Sequence, residues 1–148
     1  MSDTTTLDSI QLTDLIDSNQ TNLALKGIIG IEAMAQIANR TGNAVDGANY
    51  TNIAHNYIDL WQAYGINYNA TPPHTELNYG NASTYSLLYN LFGDAELGLE
   101  LVPQSVYDMQ SNFYPTVFNE YGVPLDTRGP WTKSESPPLH PCKYLVPV

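Results

Sequence analysis

The stretch NLALKGIIGIEAMAQIAN, residues 22–39, decides the fold of this chain. Its apolar residues recur every three or four positions, which predicts an α-helix with Asn22 as N-cap that runs to about Thr41. Apolar residues cover most sides of this helix, so we expect it to be buried. Gly27 and Gly30 each cost about 1 kcal/mol in a helix. We interpret them as points where a neighbouring helix approaches closely.

Three further segments show the same helical period. Their predicted bounds are about 49–64, Ser83 or Thr84 to Gly93 or Gly98, and Pro103 to Pro115, where the second proline must kink or end the helix. The words Tyr64-Gly65-Ile66 and Tyr121-Gly122-Val123 each close a long amphipathic stretch. A recurrence of that length suits a repeated pair of helices. The sequence therefore predicts an all-α fold of two helical hairpins, which seldom bury their apolar faces alone.

Composition excludes several classes of function. The net charge of −10 disfavours a nucleic-acid backbone or an anionic membrane as partner. Cys142 is the only cysteine, and the three histidines lack metal-ligand spacing, so we expect no disulfide within the chain and no metal. There is no Gly-rich phosphate loop and no apolar run of transmembrane length. We predict no cofactor.

The sequence also bears on localisation. The polar, acidic residues 1–8 do not resemble a secretory signal. Five Asn-x-Ser/Thr sequons occur, at Asn19, Asn39, Asn49, Asn69 and Asn81, whereas roughly two would be expected by chance from this composition. The excess favours a glycosylated, secreted protein, and the alternative is an Asn/Thr-rich chain with accidental matches.

Several sequence motifs occur in a fixed order: residues 22–39, LLYNLFG at 87–93, VPQSVYDMQ at 102–110 and YGVPLDTR at 121–128. Together they resemble the fungal glutaminase A family over about 12–128. Members of that family are secreted, several-fold longer, and contain a six-helical-hairpin domain of the α/α-toroid type.

The resemblance implies that the two hairpins are part of an α/α toroid of the six-hairpin type. It divides the chain into a polar lead-in at 1–21, a partial six-hairpin domain at 22–128 and an irregular Pro-rich tail at 129–148. The upstream signal and domains of the family, and its further helices downstream, have no counterpart here, and we interpret both ends as those of an incomplete gene model. We expect the fragment to lack its packing partners and to be inactive and aggregation-prone alone.

The family implies hydrolysis of L-glutamine to L-glutamate and ammonia, and few residues suit that substrate. Arginine suits the carboxylate of a free amino acid, and an acid suits its ammonium group. Asp126, Arg128 and Lys133 are therefore predicted as a site cluster, with Arg128 on the carboxylate and Asp126 on the ammonium or a water. The alternative is that Asp126 and Arg128 pair with each other or cap a turn.

Glu32 is a second catalytic candidate. Its neighbours at helical spacing are mostly apolar, so its carboxyl group would be poorly solvated, which suits general acid/base work. The alternative is that it pairs or reaches the surface.

Two other functions stay open. One is a carbohydrate-active hydrolase, because α/α toroids often hydrolyse glycosides and need only paired acids across a funnel. The other is a non-catalytic fragment or helical binding module.

Overall fold

The computed structural model describes residues 19–132. Lys133, most of the predicted lead-in and nearly all of the predicted tail lie outside the described residues. The elements in chain order are helix α1 (Thr21–Arg40), helix α2 (Ala44–Gly65), strands β1 (Ile66–Asn67) and β2 (His74–Thr75), helix α3 (Leu91–Leu97), helix α4 (Gln104–Phe113) and a 3₁₀ turn (Tyr114–Thr116). The all-α prediction is confirmed, since the two short strands form only one small antiparallel pair.

Helix α1 follows the predicted period, but its N-cap lies two residues before the predicted one. It begins at Thr21, and Gln20 takes the N-cap position without a side-chain cap bond. The Thr21 N–H donates instead to the carbonyl of Leu77 at 3.0 Å. A tertiary contact thus satisfies the helix N-terminus, where Asn22 was expected to do so.

Helices α1 and α2 form a hairpin through a tight turn at Gly42, whose φ of +85° suits glycine. Helix α2 begins at Ala44, five residues before the predicted start, because Gly42 and Asn43 suffice to reverse the chain. The close approach of the two helices lies at Gly47, where a Cβ atom would sit 2.0 Å from the side-chain oxygen of Asn39.

Within residues 19–132, no neighbouring helix approaches Gly27 or Gly30 as expected. A Cβ atom at either position would meet no atom of another element within 4 Å. The side of α1 that carries these glycines is therefore open in residues 19–132.

The largest discrepancy concerns the third helix, because residues 83–90 are not helical and only Leu91–Leu97 form α3. Ser86 and Leu88 are buried, whereas Leu87 is half-buried and Tyr89 is exposed. This alternation is that of an extended chain, not of a helix. Backbone pairing to residues 125–127 prevails here over a weak helical preference.

Helix α4 confirms the prediction that Pro115 ends a helix. The α-helix stops at Phe113, and Pro115 lies in the 3₁₀ turn that follows. Pro103 takes the N-cap position rather than the first turn. The helix packs its apolar face into the common core through Val106.

One hydrophobic core connects the elements. It is built on the α1–α2 hairpin and extends to α3, α4 and the loop before α4, and its buried members are Leu25, Ile28, Ile29, Ala54, Ile58, Trp61, Ile66, Leu88, Leu91, Leu101, Val102 and Val106. Within residues 19–132, no helix has both the length and the apolar character that crossing a membrane requires.

Candidate functional site

Two loop segments far apart in sequence, 85–88 and 125–128, meet beside helix α4. Two backbone hydrogen bonds of 2.7 and 3.3 Å join them. The bonds create an antiparallel bridge in which Ser86 faces Asp126. Residues that face each other in such a bridge direct their side chains to the same side. The structure thus places a buried hydroxyl opposite the predicted site carboxylate.

Asp126 and Arg128 form a bidentate ion pair. The Nε of Arg128 donates to Oδ1 of Asp126 at 3.0 Å, and Nη2 donates to Oδ2 at 2.8 Å. The backbone N–H of Arg128 donates to the same Oδ1 at 2.8 Å. The side chain of Asp126 is 11% exposed and that of Arg128 is 36% exposed, so one edge of the pair faces solvent.

The geometry agrees with the alternative given in the sequence analysis, in which the two side chains pair with each other or cap a turn. Asp126 and Arg128 pair with each other, and Asp126 also fixes the turn to Arg128 through the backbone bond. The predicted substrate-binding role of the cluster stays a prediction. The structure brings two of its members together, and the third, Lys133, lies beyond the described residues.

Tyr85 and Ser86 are neighbours of the pair that the sequence did not single out as site residues. Burial, and secondly the negative charge of Asp126, raise the pKa of Tyr85, so its phenol remains a proton donor at neutral pH. Ser86 is 2% exposed, and its Oγ atom has no hydrogen-bond partner among the described residues. Both were missed because 83–92 reads as a helix, and only the backbone pairing reveals their neighbour.

Glu32 is buried on α1, with 4% of its surface exposed, which confirms the poor solvation expected from its apolar neighbours. Its Oε1 atom accepts a hydrogen bond of 3.1 Å from the side-chain amide of Gln36. Its Oε2 atom has no hydrogen-bond partner within residues 19–132. Within residues 19–132 no hydrogen bond joins Glu32 to Asp126: Glu32 bonds to Gln36, and Asp126 bonds to Arg128.

An apolar groove of about 770 Å³ runs along the α1–α2 hairpin. Ile31 of α1 faces Tyr57, Leu60 and Tyr64 of α2 across it, and Gly27 forms part of its wall. Tyr64 is 67% exposed and Leu60 is 49% exposed. The groove therefore coincides with the open side of α1, and neither Asp126 nor Arg128 lines it.

Among the described residues, no group of three or more His, Cys, Asp or Glu side chains could hold a metal ion. The two acidic candidates accept hydrogen bonds from nearby side chains: Asp126 from Arg128, and Glu32 from Gln36.

Comparison with known proteins agrees with the helical architecture. Residues 3–137 match the family model described as the Glutaminase A six helical-hairpin domain. Glutaminase A of Aspergillus oryzae is 62% identical over 118 residues, which are 80% of this chain and 17% of the relative. A probable glutaminase of Arthroderma benhamiae is 34% identical over 143 residues, covering 78% of this chain and 16% of the relative. No solved structure matches the chain significantly.

The fold and the matches define the class as an all-α protein built of helical hairpins. This chain belongs to the glutaminase A family and falls within its six helical-hairpin domain. It spans less than a fifth of the length of the relatives it matches. The resemblance seen in the sequence words is thereby confirmed, and the closed ring stays a prediction.

Proposed function

We propose that this chain is part of a secreted glutaminase that hydrolyses L-glutamine to L-glutamate and ammonia. The observation that carries the proposal is the 62% identity to a protein named glutaminase A over 80% of this chain. The Asp126–Arg128 pair supports it, because an acid and a base held side by side match the two charged groups of a free amino acid.

In the proposed binding step, glutamine exchanges partners with the ion pair. Its carboxylate takes the bidentate place of Asp126 on the guanidinium of Arg128, and its ammonium takes the place of Arg128 beside Asp126. Each protein charge keeps an opposite charge within hydrogen-bond distance, so little electrostatic energy is lost on exchange. The exposed edge of Arg128 provides the entry. Free glutamine is thereby favoured over a glutamine residue within a peptide, which lacks the free carboxylate and ammonium groups.

In the hydrolytic step, water adds to the side-chain amide carbon, the carbon–nitrogen bond breaks, and the nitrogen takes a proton to leave as ammonia. A donor must stabilise the oxyanion that develops on the amide oxygen. Lys133 completes the proposed cluster with Asp126 and Arg128. Glu32 is proposed for general acid/base work, because one oxygen of its buried carboxyl group is not committed to a hydrogen bond in residues 19–132.

The proposal includes inactivity of the chain by itself. The apolar groove beside Gly27 leaves half-exposed Leu60 and Tyr57 on the surface. Contiguous apolar patches of this kind mark an interaction site. We assign the groove to further helices of a longer protein, since this chain spans less than a fifth of the length of the relatives it matches.

Secretion is supported by the sequons. All five sequon asparagines are exposed, as glycosylation requires: Asn19, Asn39, Asn49, Asn69 and Asn81. Expression of the parent protein through a secretory pathway, followed by enzymatic removal of N-glycans and mass measurement, tests this part. An unchanged mass would contradict it.

The catalytic part is tested with a chimaera in which this chain replaces the matching segment of the Aspergillus oryzae glutaminase A. We expect glutamine-dependent release of ammonia from the chimaera and none from the isolated chain. Arg128→Ala should raise the KM for glutamine about 10- to 100-fold, as expected for loss of charged hydrogen bonds. Arg40→Ala, at the exposed end of α1, is the matched control and should leave KM unchanged.

Three results would contradict the proposal. Unchanged ammonia release by Arg128→Ala would remove Arg128 from the site. Release of reducing sugar without ammonia would favour the carbohydrate-active alternative. Absence of any hydrolysis in a folded chimaera would favour a non-catalytic module.

A further inference from the structure

The buried side chain of Gln110 lies behind the loop segment that carries Ser86 and reaches Asp126 and Arg128 only through other residues. Gln110 is 1% exposed and projects from helix α4. A buried side-chain amide in this position needs partners for one acceptor and two donors. The identity of those partners shows what the residue does.

Gln110 makes hydrogen bonds to three other segments. Its Oε1 atom accepts from the N–H of Thr75 at 3.2 Å, and its Nε2 atom donates to the hydroxyl of Thr75 at 2.9 Å. Nε2 also lies 3.2 Å from the hydroxyl of Tyr114 and 3.4 Å from the carbonyl of Ser86. The Tyr114 hydroxyl in turn accepts from the N–H of Leu88 at 3.1 Å.

These contacts complete a second edge of the extended segment 85–88. On one edge, the carbonyl of Tyr85 and the N–H of Leu87 pair with residues 127 and 125. In an extended chain the carbonyl of residue 86 and the N–H of residue 88 point to the opposite edge. Gln110 and Tyr114 serve those two groups. One side chain of helix α4 and one of the 3₁₀ turn that follows it thus occupy the place of a neighbouring strand.

The consequence for the site follows from the bridge between Ser86 and Asp126. The backbone of segment 85–88 pairs with that of 125–128 along one edge. Along its other edge, the carbonyl of Ser86 accepts from Gln110. We propose that Gln110 is a positioning residue that holds the Asp126–Arg128 pair in its bidentate geometry through the extended segment 85–88.

The inference rests on the proposed function only for its effect on activity. Its geometric part is a statement about the folded chain, and it is tested first without any substrate.

The geometric test uses NMR of the full chain. Its two arginines, Arg40 and Arg128, give two Nε–H signals, which Arg40→Lys assigns. In the unsubstituted chain the Nε–H proton of Arg128 should exchange slowly with water because it is hydrogen-bonded to Asp126. In Gln110→Leu this exchange should become at least about tenfold faster, while Arg40 is unchanged.

The matched control is Gln62→Leu. Gln62 is also a helical glutamine with a partly buried amide, and it bonds only within its own helix, to the carbonyl of Ile58 at 3.3 Å. This variant should leave both arginine signals as in the parent. Slow exchange of the Arg128 signal in a folded Gln110→Leu variant would overturn the proposal.

Gln110→Glu covers the case in which the leucine variant fails to fold. A buried carboxyl group has a raised pKa, and in its protonated form it still accepts from Thr75 and donates one hydrogen bond. Protection of the Arg128 signal should therefore return on acidification of Gln110→Glu, with no matching change in Gln62→Glu. Protection that does not depend on pH in the Gln110→Glu variant would also overturn the proposal.

The activity test uses the same variants in the chimaera. A displaced Arg128 should raise the KM for glutamine about tenfold or more, whereas a smaller folded fraction lowers the apparent kcat and leaves KM unchanged. A change in kcat alone, with KM unchanged, would mean that Gln110 acts on stability and not on position. If the parent chimaera releases no ammonia, the proposed function fails, and the NMR result alone decides the role of Gln110.

Discussion

The α1–α2 hairpin and the chain after residue 83 are built by different physical means. The hairpin is two long helices in which most buried residues, such as Leu25, Ile58 and Trp61, are apolar and recur at helical spacing. The later region contains short helices and extended loops, and buried polar side chains such as Asp94 and Gln110 hold its backbone in place. The first region depends on packing, and the second on satisfied hydrogen bonds.

This difference determines which region carries the polar side chains that a catalytic or binding site needs. A helix satisfies its own backbone and leaves side chains free to pack, so the hairpin offers an apolar groove. Buried irregular backbone needs partners from side chains, from other backbone segments or from water. The second region therefore contains carboxylates, amides and phenols that bond to its backbone, as Asp94, Gln110 and Tyr114 do, and it also carries the Asp126–Arg128 pair.

The largest expected effect is on the packing side of the comparison. Trp61 is 1% exposed, and its indole N–H donates to the carbonyl of Thr21 at 2.8 Å. Trp61→Ala should lower the free energy of unfolding by about 4 kcal/mol, from lost burial and a residual cavity. Urea unfolding followed by circular dichroism measures it. The other tryptophan, Trp131, is 66% exposed, and Trp131→Ala should cost less than about 1 kcal/mol.

The next effect is on the polar side. The carboxylate of Asp94 accepts hydrogen bonds from the N–H groups of Leu101 and Val102, at 3.1 and 3.3 Å, and from the Tyr107 hydroxyl at 2.8 Å. Asp94→Ala leaves two buried N–H groups without partners and should cost about 3 kcal/mol. Asp108→Ala, which removes an exposed carboxylate of α4, is the control. Equal loss in both variants would contradict the contrast between the regions.

A smaller effect depends on pH. Burial raises the pKa of Tyr114 to about 12 in the folded chain, and hydrogen bonds from Leu88 and Gln110 oppose this shift. The unfolded value is about 10, so the stabilisation is complete below pH 10 and is lost as pH rises towards 12. We expect a loss of roughly 1 kcal/mol between pH 10 and 11 from this residue.

Tyr114→Phe tests this expectation, because it removes the titrating group and should flatten the fall in stability over that interval. Tyr121→Phe, at a residue that is 76% exposed, should leave the pH dependence as in the parent. Burial and the Asp94 carboxylate also raise the pKa of Tyr107. Some alkaline loss should therefore persist in Tyr114→Phe, and complete loss of the pH dependence would contradict this division.

The smallest effect on stability concerns the groove. Leu60→Lys places a charge at a half-exposed position of its wall and should change the free energy of unfolding by no more than about 0.5 kcal/mol. It should nevertheless lower self-association of the isolated chain, as measured by sedimentation velocity. Val45→Lys, which is exposed at the start of α2 and outside the groove, should not. Equal sedimentation of the unsubstituted chain and of Leu60→Lys would contradict self-association through the groove.

The sequence predicted the hairpin well and the later region poorly. The period of residues 22–39 placed α1 within two residues of its ends, and Pro115 marked the end of α4. Segment 83–90 was misread, because Tyr85, Leu88 and Tyr89 fit a helical stripe while their backbone pairs elsewhere. Asp126 and Arg128 were found from their chemistry, and their pairing was one of two alternatives.

The sequence by itself determined the helical class, the family and the charged residues suited to an amino acid, because periodicity, word order and residue type are local properties. Only the tertiary structure decided that Ser86 faces Asp126, that Gln110 bonds to the carbonyl of Ser86, and that the side of α1 with Gly27 stays open in residues 19–132. The presence or absence of these contacts concerns residues distant in the chain. Their free energy depends on which backbone groups are left to be satisfied once the helices have packed.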